Sequence, residues 1–224
     1  MKKTLEAIWR ELLPRAPVFT TAKVAELTVV SLSSASRDLS KLAQQGLVTK
    51  LRRGLWAMTG HPDFSPYSVV PHLFTGGEEG YVSLLSAMSL HGIIEQIPRT
   101  VQVVARKARP PLRTPIGTYE FHRLDEKLFG GHGPYDSIWS FQIASREKAL
   151  FDTFYLSVRK GKRFSALPEL ELPRDFSFTA VQEWLDKIEY RPLRVAVSKR
   201  LSTLDARDSF AEQVERKPGS ANAW

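Results

Sequence analysis

The chain contains no cysteine among its 224 residues. Disulfide bonds, thiolate nucleophiles and cysteine-based zinc sites are therefore excluded, and a reducing compartment such as the cytoplasm is expected. Long apolar runs are missing as well: no stretch approaches the roughly 20 residues of a membrane span, so no membrane partner is expected. The opening segment MKKTLEAIWRELLP carries Glu6, Arg10 and Glu11 within its apolar pattern. It predicts an amphipathic helix and not a signal sequence.

Signatures of catalysis are also missing. Gly130–Gly133 lacks the spacing and the following Lys-Ser/Thr of a phosphate-binding loop, and no Gly-x-Ser-x-Gly elbow occurs. A metal-dependent nuclease needs an aspartate and then Glu-x-Lys on one strand, whereas after Asp136 the adjacent Glu147 and Lys148 begin a predicted helix. Lys148 is expected to pair with Asp152 one turn later. No paired metal-ligand spacing is found among the histidines, which are His61, His72, His91, His122 and His132. We therefore expect no catalytic residue, no cofactor and no metal, and interpret the chain as not an enzyme.

Positive charge is present in excess and is concentrated near the N-terminus. The net charge is +8, with 32 Lys and Arg against 24 Asp and Glu. Residues 1–60 hold ten of these cations and four of the anions, which leaves 22 against 20 for the rest of the chain. A cationic surface confined to one region is typical of nucleic-acid binding.

Residues 18–58 carry the pattern of a winged helix-turn-helix. A short helix is predicted over Thr21–Leu27, and the β-branched, serine-containing stretch Thr28–Leu32 predicts a turn. A second helix, capped by Ser33 or Ser34, places Ala35, Leu39, Leu42 and Ala43 on one side and polar residues on the other. Gly46 fits a left-handed C-terminal cap. A basic hairpin then spans Leu47–Met58 and turns at Arg52–Gly54.

The polar side of the second helix has the composition of a major-groove reader. Serine permits close approach to base edges, and arginine can donate two hydrogen bonds to guanine. Two arginines at a hairpin tip are suited to phosphates or the minor groove. Each cation taken alone is better explained as part of a solvated surface, so the interpretation depends on their combination with the order of elements. The candidate DNA-binding residues are Thr21, Ser33, Ser34, Arg37, Lys41, Arg52 and Arg53.

The rest of the chain predicts a mixed domain. The Pro- and Ser-rich stretch at 61–71 and the pair Gly76-Gly77 indicate a boundary, which gives domains at 1–75 and 76–224. The fold class is therefore α+β: a winged helix-turn-helix, then an α/β domain with a small sheet and several helices. His91 is expected to end a helix and face its last carbonyls. The predicted elements are helices at 81–91, 146–158, 179–188 and 193–204, strands at 100–105, 118–124 and 137–144, and loops at 106–115 and 130–134.

The sequence leaves the roles of two basic runs undecided. One comprises Arg99, Arg106, Lys107, Arg109 and Arg113, and the other spans residues 159–163. Solvated loops are one explanation, and a surface for DNA backbone or an acidic protein is the other.

Several of these blocks resemble a known family. The segments LRRGLWAM, YVSLLSAMSLHGIIEQIP, VQVVARKARPP, TPIGTYEFHRL and IASREKALFDTFYL follow the order seen in AbiEi-type antitoxins. The resemblance extends from about Phe19 to Leu156, and its most specific blocks are Ser83–Pro98 and Ala144–Asp152. Arg146 stands where family members often have proline, which only pre-sets a helix start.

The resemblance implies a function of two parts. Such antitoxins belong to type IV toxin–antitoxin and phage-defence systems and repress their own operon through an N-terminal winged helix, usually at inverted repeats. Their C-terminal domain counteracts a separate, nucleotidyltransferase-like toxin. The expected partners are therefore double-stranded operator DNA and that toxin, with direct contact to the toxin left open.

Two other functions are weighed against this interpretation. A stand-alone winged-helix regulator with a ligand-sensing C-terminal domain predicts a closed apolar pocket within residues 76–224. A DNA-processing enzyme predicts convergent carboxylates with a bound metal.

Overall fold

The N-terminal elements of the chain are three helices and a small sheet. The computed structural model describes residues 2–12, 17–74, 76–135, 141–159 and 168–215. Helix α1 spans Lys2–Ala7 and continues as a π-helical turn over Ile8–Leu12. The elements that follow are β1 (Val18–Thr20), α2 (Thr21–Thr28), α3 (Leu32–Gln44), β2 (Thr49–Arg52) and β3 (Leu55–Ala57).

Side-chain caps define the starts of α2 and α3. The hydroxyl of Thr20 accepts from the Lys23 N–H at 3.2 Å. The hydroxyl of Ser31 accepts from the Ser34 N–H at 3.2 Å, so α3 begins at Leu32. The predicted cap at Ser33 or Ser34 is therefore wrong by two or three residues, because an earlier serine already has the extended backbone that a cap requires.

The three strands form one antiparallel sheet in the order β1-β3-β2. Strand β3 is central: Phe19 pairs with Trp56 on one side, and Lys50 pairs with Trp56 on the other. The register of β2 shifts between Lys50 and Arg52, so the strand bends before the turn. The helices pack on this sheet through a core that includes Ile8, Phe19, Val24, Ala35, Leu39, Leu42 and Trp56.

The stretch predicted as a boundary contains an ordered element. Residues Pro66–Leu73 form a 3₁₀ helix whose Val69, Val70 and Leu73 are buried. These side chains join Leu55 of β3 to the core of the second half of the chain. The division between residues 75 and 76 stays a prediction, but the segment before it packs as part of the core.

A six-stranded sheet organises the second half. Its order is β6-β7-β5-β4-β9-β8, and β5 and β7 pair in parallel over six residues each. The pairs β4–β5, β6–β7 and β8–β9 are antiparallel, whereas β4 and β9 are parallel. The strands are β4 (Gly80–Val82), β5 (Thr100–Ala105), β6 (Leu112–Thr114), β7 (Gly117–Arg123), β8 (His132–Pro134) and β9 (Gln142–Ala144).

Three short strands lie where the sequence predicted other structure. Strand β4 occupies the start of the helix predicted at 81–91, and β6 and β8 lie inside predicted loops. Each has only three residues and is held by a partner strand rather than by its own propensity. Strand β9 lies within the strand predicted at 137–144, of which residues 137–140 fall outside the described residues.

The α-helices among the described residues of this half are α4 (Leu84–Leu90), α5 (Arg146–Arg159), α6 (Phe178–Asp186) and α7 (Arg191–Glu215). Helices α4 and α5 pack against this sheet, and α6 and α7 pack on α5. Helix α5 begins after Ser145, whose hydroxyl caps it by accepting from the Lys148 N–H at 3.1 Å. The described residues thus form a mixed α+β fold. None of their helices combines the length and apolarity needed to cross a membrane.

Candidate nucleic-acid interface

Helix α3 presents one buried and one exposed face. Ala35, Leu39 and Leu42 are fully buried against the helices and the sheet, as their spacing predicted. The opposite face is solvent-exposed and carries the predicted polar side chains. Exposed there are Ser33, Arg37, Ser40, Lys41 and Gln44, and Ser34 is half-buried.

Local hydrogen bonds shape the beginning of this exposed face. The hydroxyls of Ser31 and Ser33 lie 3.0 Å apart. Arg37 donates from Nε to the Ser33 carbonyl at 3.4 Å, which aligns its side chain along the helix toward the N-terminus. The terminal N–H groups of the Arg37 guanidinium can still donate to a ligand bound near the first turn of α3.

The hairpin tip lies against the start of α2. The two-residue turn consists of Arg53 and Gly54, and Gly54 has a φ of 78°, a conformation that glycine adopts without strain. The Gly54 carbonyl accepts from the Thr21 N–H at 2.9 Å. This bond places the exposed Arg53 close to the N-terminus of α2, where the positive end of the helix dipole favours an anion.

Two of the predicted contact residues point into the protein. Arg52 donates from Nη2 to the His72 carbonyl at 2.7 Å, so its guanidinium joins the hairpin to the 3₁₀ helix. Thr21 is 8% exposed, and its hydroxyl accepts from Trp56 Nε1 at 2.8 Å. Both side chains support the fold, while Ser33, Ser34, Arg37, Lys41 and Arg53 remain accessible.

The structure adds one exposed cation that the sequence reasoning did not select. Lys50 lies on β2 with its ammonium 5.6 Å from the centre of the Trp56 ring. The alternation of β2 carried the signal, since Leu51 is buried and Lys50 must therefore face solvent.

The burial of His72 beside Arg52 makes the stability of the protein sensitive to acid. Burial, and then the neighbouring positive charge of Arg52, lowers the pKa of His72 below its ordinary value of 6.5. The unfolded chain therefore takes up the proton first, and stability is lost as the pH falls from 6.5 through the folded-state pKa. We expect His72→Gln to flatten this decline in urea unfolding measured across that range. An unchanged pH profile in the variant would contradict the prediction.

Much of the first basic run is neutralised by acidic residues. Arg106 pairs with Glu79 and Glu126, and Glu78 pairs with both Lys107 and Arg109. Arg109 additionally donates to the Leu73 carbonyl at 2.8 Å. These ion pairs favour the explanation that this run is part of the fold's surface.

A buried ion pair lies at the centre of the second half. Lys148 and Asp152 are both fully buried and hydrogen-bonded to each other, as the predicted pairing required. Asp152 also accepts from the hydroxyls of Ser83 at 2.8 Å and Tyr81 at 3.3 Å. Burial lowers the pKa of Lys148 and raises that of Asp152, and the opposite charge of each partner counteracts that effect. Trp184 covers the ammonium at 4.6 Å, so the pair is sealed from solvent.

The His91 side chain connects the end of α4 to strand β9 and does not face the last carbonyls of its own helix. Its Nε2 lies 2.8 Å from the Ala144 carbonyl of β9. The expectation of a local contact with the last carbonyls of α4 is therefore wrong, because the ring reaches across to a neighbouring strand. Among the residues that the structure describes, no three His, Asp or Glu side chains come together as metal ligands.

A cleft of about 580 Å³ borders the end of β7. Arg109, Arg123 and Arg159 line it together with Glu120 and His122. Strand β6 pairs with β7 only as far as Tyr119, and the chain before β6 is Pro110-Pro111, which offers no N–H to extend the pairing. The cleft is charged and partly open, which differs from the closed apolar pocket that the ligand-sensing alternative predicted.

Comparison with protein-family models found no match for this chain. A search of curated proteins also found no match. The functional interpretation therefore depends on the geometry of α3 and the hairpin and on the sequence resemblance.

Proposed function

We propose that residues 18–58 are a winged helix-turn-helix that binds double-stranded DNA. The observation that carries this proposal is the arrangement of α3, which is anchored by one apolar face and exposes serines and cations on the other. The element order β1, α2, α3, β2, β3 with a β1-β3-β2 sheet supports it. We further propose that the protein is a cytoplasmic AbiEi-type antitoxin that represses its own transcription, as the resemblance implies.

Some of the exposed side chains of α3 and the hairpin contact DNA bases, and the others contact the DNA backbone. The N-terminal part of α3 enters the major groove, with Ser33, Ser34 and Arg37 nearest the base edges. Lys41, further along the same face, and Arg53, at the hairpin turn, contact phosphates. The start of α2 beside Arg53 adds the positive end of a helix dipole to the attraction for the same phosphate chain.

The neighbouring arginines of the hairpin are expected to behave differently when removed. Arg53→Ala should weaken binding to all DNA sequences and reduce the slope of log affinity against log salt by about one, since one phosphate contact is lost. Arg52→Ala should instead lower the free energy of unfolding, because it removes the bond to the His72 carbonyl. Gel shifts across salt and urea unfolding of both variants measure the two effects.

The matched control is Arg10→Ala, which changes an exposed arginine of the π-helical turn after α1 that pairs with Glu6. It should alter neither the salt slope nor the unfolding midpoint. Normal promoter affinity and normal salt dependence in Arg53→Ala would refute a role for the hairpin in binding DNA.

We propose that the second half opposes a nucleotidyltransferase-like toxin encoded next to this gene. The blocks at Ser83–Pro98 and Ala144–Asp152, which carry the resemblance, lie in this half and support the proposal. Co-expression with the neighbouring gene product tests it, with rescue of growth as the expected result. Continued growth arrest, at confirmed expression of both proteins, would leave only the repressor role.

The cleft beside β7 supports a second candidate function, a regulator that senses an anionic ligand. Arg123 and Arg159 suit a carboxylate or phosphate group, whereas Arg109 is already paired with Glu78. This function predicts that a ligand found by thermal-shift screening changes promoter affinity in proportion to its occupancy. An antitoxin without a sensor predicts that promoter affinity is independent of any such ligand.

A further inference from the structure

Apolar side chains are exposed where α2 turns into α3. Val29 is 90% exposed, Leu32 is 60% exposed and Val30 is 39% exposed. We call these three residues the apolar turn. Single exposed apolar residues are common, but three within four positions concentrate apolar side chains at one turn, which fits a binding surface.

The backbone of the apolar turn is conformationally costly. Val29 has φ 53° and ψ 49°, the left-handed conformation that β-branched residues rarely adopt. The Val29 N–H donates to the Glu26 carbonyl at 3.3 Å, and the Val30 N–H donates to the Ala25 carbonyl at 3.1 Å. Glycine or asparagine would satisfy the same turn with less strain. A valine at this position therefore keeps an apolar group in solvent at the expense of backbone strain.

The surroundings of the apolar turn indicate which ligand it would take. Leu32 is the first residue of α3 and is followed by the exposed Ser33 and Arg37, with Lys41 further along. An apolar protein partner would have to bury these cations without counter-charges, which is costly. A DNA major groove satisfies both requirements, because phosphates neutralise the cations and thymine presents an apolar C5-methyl group.

We propose that the apolar turn reads thymine, with Leu32 and Val29 packing against the C5-methyl group of a thymine in each half-site. This inference rests on the proposed DNA binding and adds a base preference to it. The hydrophobic free energy of burying one methyl group predicts that each such contact changes Kd by about 3- to 5-fold.

The experiment removes that methyl group alone. A consensus duplex is first selected in vitro from random DNA with the full-length chain. Each thymine of the duplex is then replaced by deoxyuracil, which preserves base pairing and hydrogen-bonding groups. We expect one or more replacements per half-site to weaken binding of the wild-type chain by about 3- to 5-fold.

The variants Leu32→Ala and Val29→Ala locate the contact. We expect weaker binding of each to the thymine duplex and a reduced or absent response to deoxyuracil at the sensitive position. Leu47→Ala is the matched control, since Leu47 is 38% exposed beyond the other end of α3, and it should keep the full response. Circular dichroism verifies that each variant is folded.

Different results would overturn thymine reading and the DNA binding on which it rests. Selection of no duplex that binds better than random DNA would overturn the proposed sequence-specific DNA binding itself. Binding that is insensitive to every deoxyuracil replacement would overturn thymine reading alone. A response that persists unchanged in both Leu32→Ala and Val29→Ala would also overturn it, because another group would then contact the methyl.

Discussion

Replacement of Asp152 with alanine is expected to lower the free energy of unfolding by about 3–5 kcal/mol, since it leaves a buried charge without its partner. The Lys148 ammonium has no exposure to solvent and would lose both its counter-charge and its hydrogen-bond acceptor. The hydroxyls of Ser83 and Tyr81 would lose the same acceptor. Urea unfolding followed by circular dichroism measures the change.

The variant should also acquire a distinctive pH dependence. Burial already lowers the pKa of Lys148, and without Asp152 no counter-charge opposes that effect. The unfolded chain then binds more protons than the folded chain above the lowered pKa, so stability rises with pH toward the ordinary lysine value of 10.5. The deficit of Asp152→Ala relative to the wild type should therefore shrink as the solution becomes more alkaline.

Two controls separate the buried charge from general damage to the core. Lys148→Met combined with Asp152→Asn leaves no charge while keeping an acceptor for Ser83 and Tyr81, so it should recover much of the lost stability. Lys127→Met removes an exposed cation that pairs with Glu189 and should leave the urea midpoint unchanged. Equal losses in Asp152→Ala and the double variant would contradict the role assigned to the ion pair.

Replacement of Arg37 with alanine is expected to weaken operator binding by about 1–3 kcal/mol and to relax the base preference at one position per half-site. Arg37 is exposed in the first half of α3, and the bond from its Nε to the Ser33 carbonyl directs it toward the N-terminus of the helix. A bidentate contact with guanine would use its remaining N–H groups. Titration of operator and single-base variants, followed by fluorescence anisotropy, measures both effects.

The control for Arg37 is Lys41 on the same exposed face. Lys41→Ala should weaken binding to operator and unrelated DNA alike, because a phosphate contact carries no sequence information. Arg37→Lys should keep much of the general affinity while losing the base preference, since an ammonium cannot form the two-pronged contact. A base preference that is unchanged in Arg37→Ala would show that another residue reads that position.

The local periodicity of the chain was enough to predict the helices of residues 18–58. The spacing of Ala35, Leu39 and Leu42 alone indicates which side of α3 is buried, because a helix repeats every 3.6 residues. The exposed partners Arg37 and Lys41 follow from the same geometry. The mixed α+β class was predictable for the same reason, from segments that change between helical and strand patterns.

Contacts between distant residues were not predictable. Arg52 and Arg53 are adjacent residues of the same type. Their side chains point in different directions because the register of β2 is irregular and the His72 carbonyl accepts from Arg52. Thr21 is equally ambiguous until Trp56 is folded against it. The three-residue strands β4, β6 and β8 depend on partners elsewhere in the sheet, so their own sequences carry little signal.

The burial of ionisable groups could not be predicted from the sequence either. The spacing of Lys148 and Asp152 predicts a pair on one helix turn, but such pairs usually lie in solvent. Their complete burial follows from the contacts of α5 with Tyr81, Ser83 and Trp184, which come from other elements.

Hydroxyl-radical footprinting on the DNA upstream of this gene tests most directly whether α3 and the hairpin bind DNA. We predict protection of two inverted half-sites by the wild-type chain at moderate salt, with protection lost in Arg37→Ala combined with Arg53→Ala. Arg10→Ala should leave the same pattern as the wild type. Absence of any protected region even at low salt, or identical protection by the double variant, would contradict DNA binding by α3 and the hairpin.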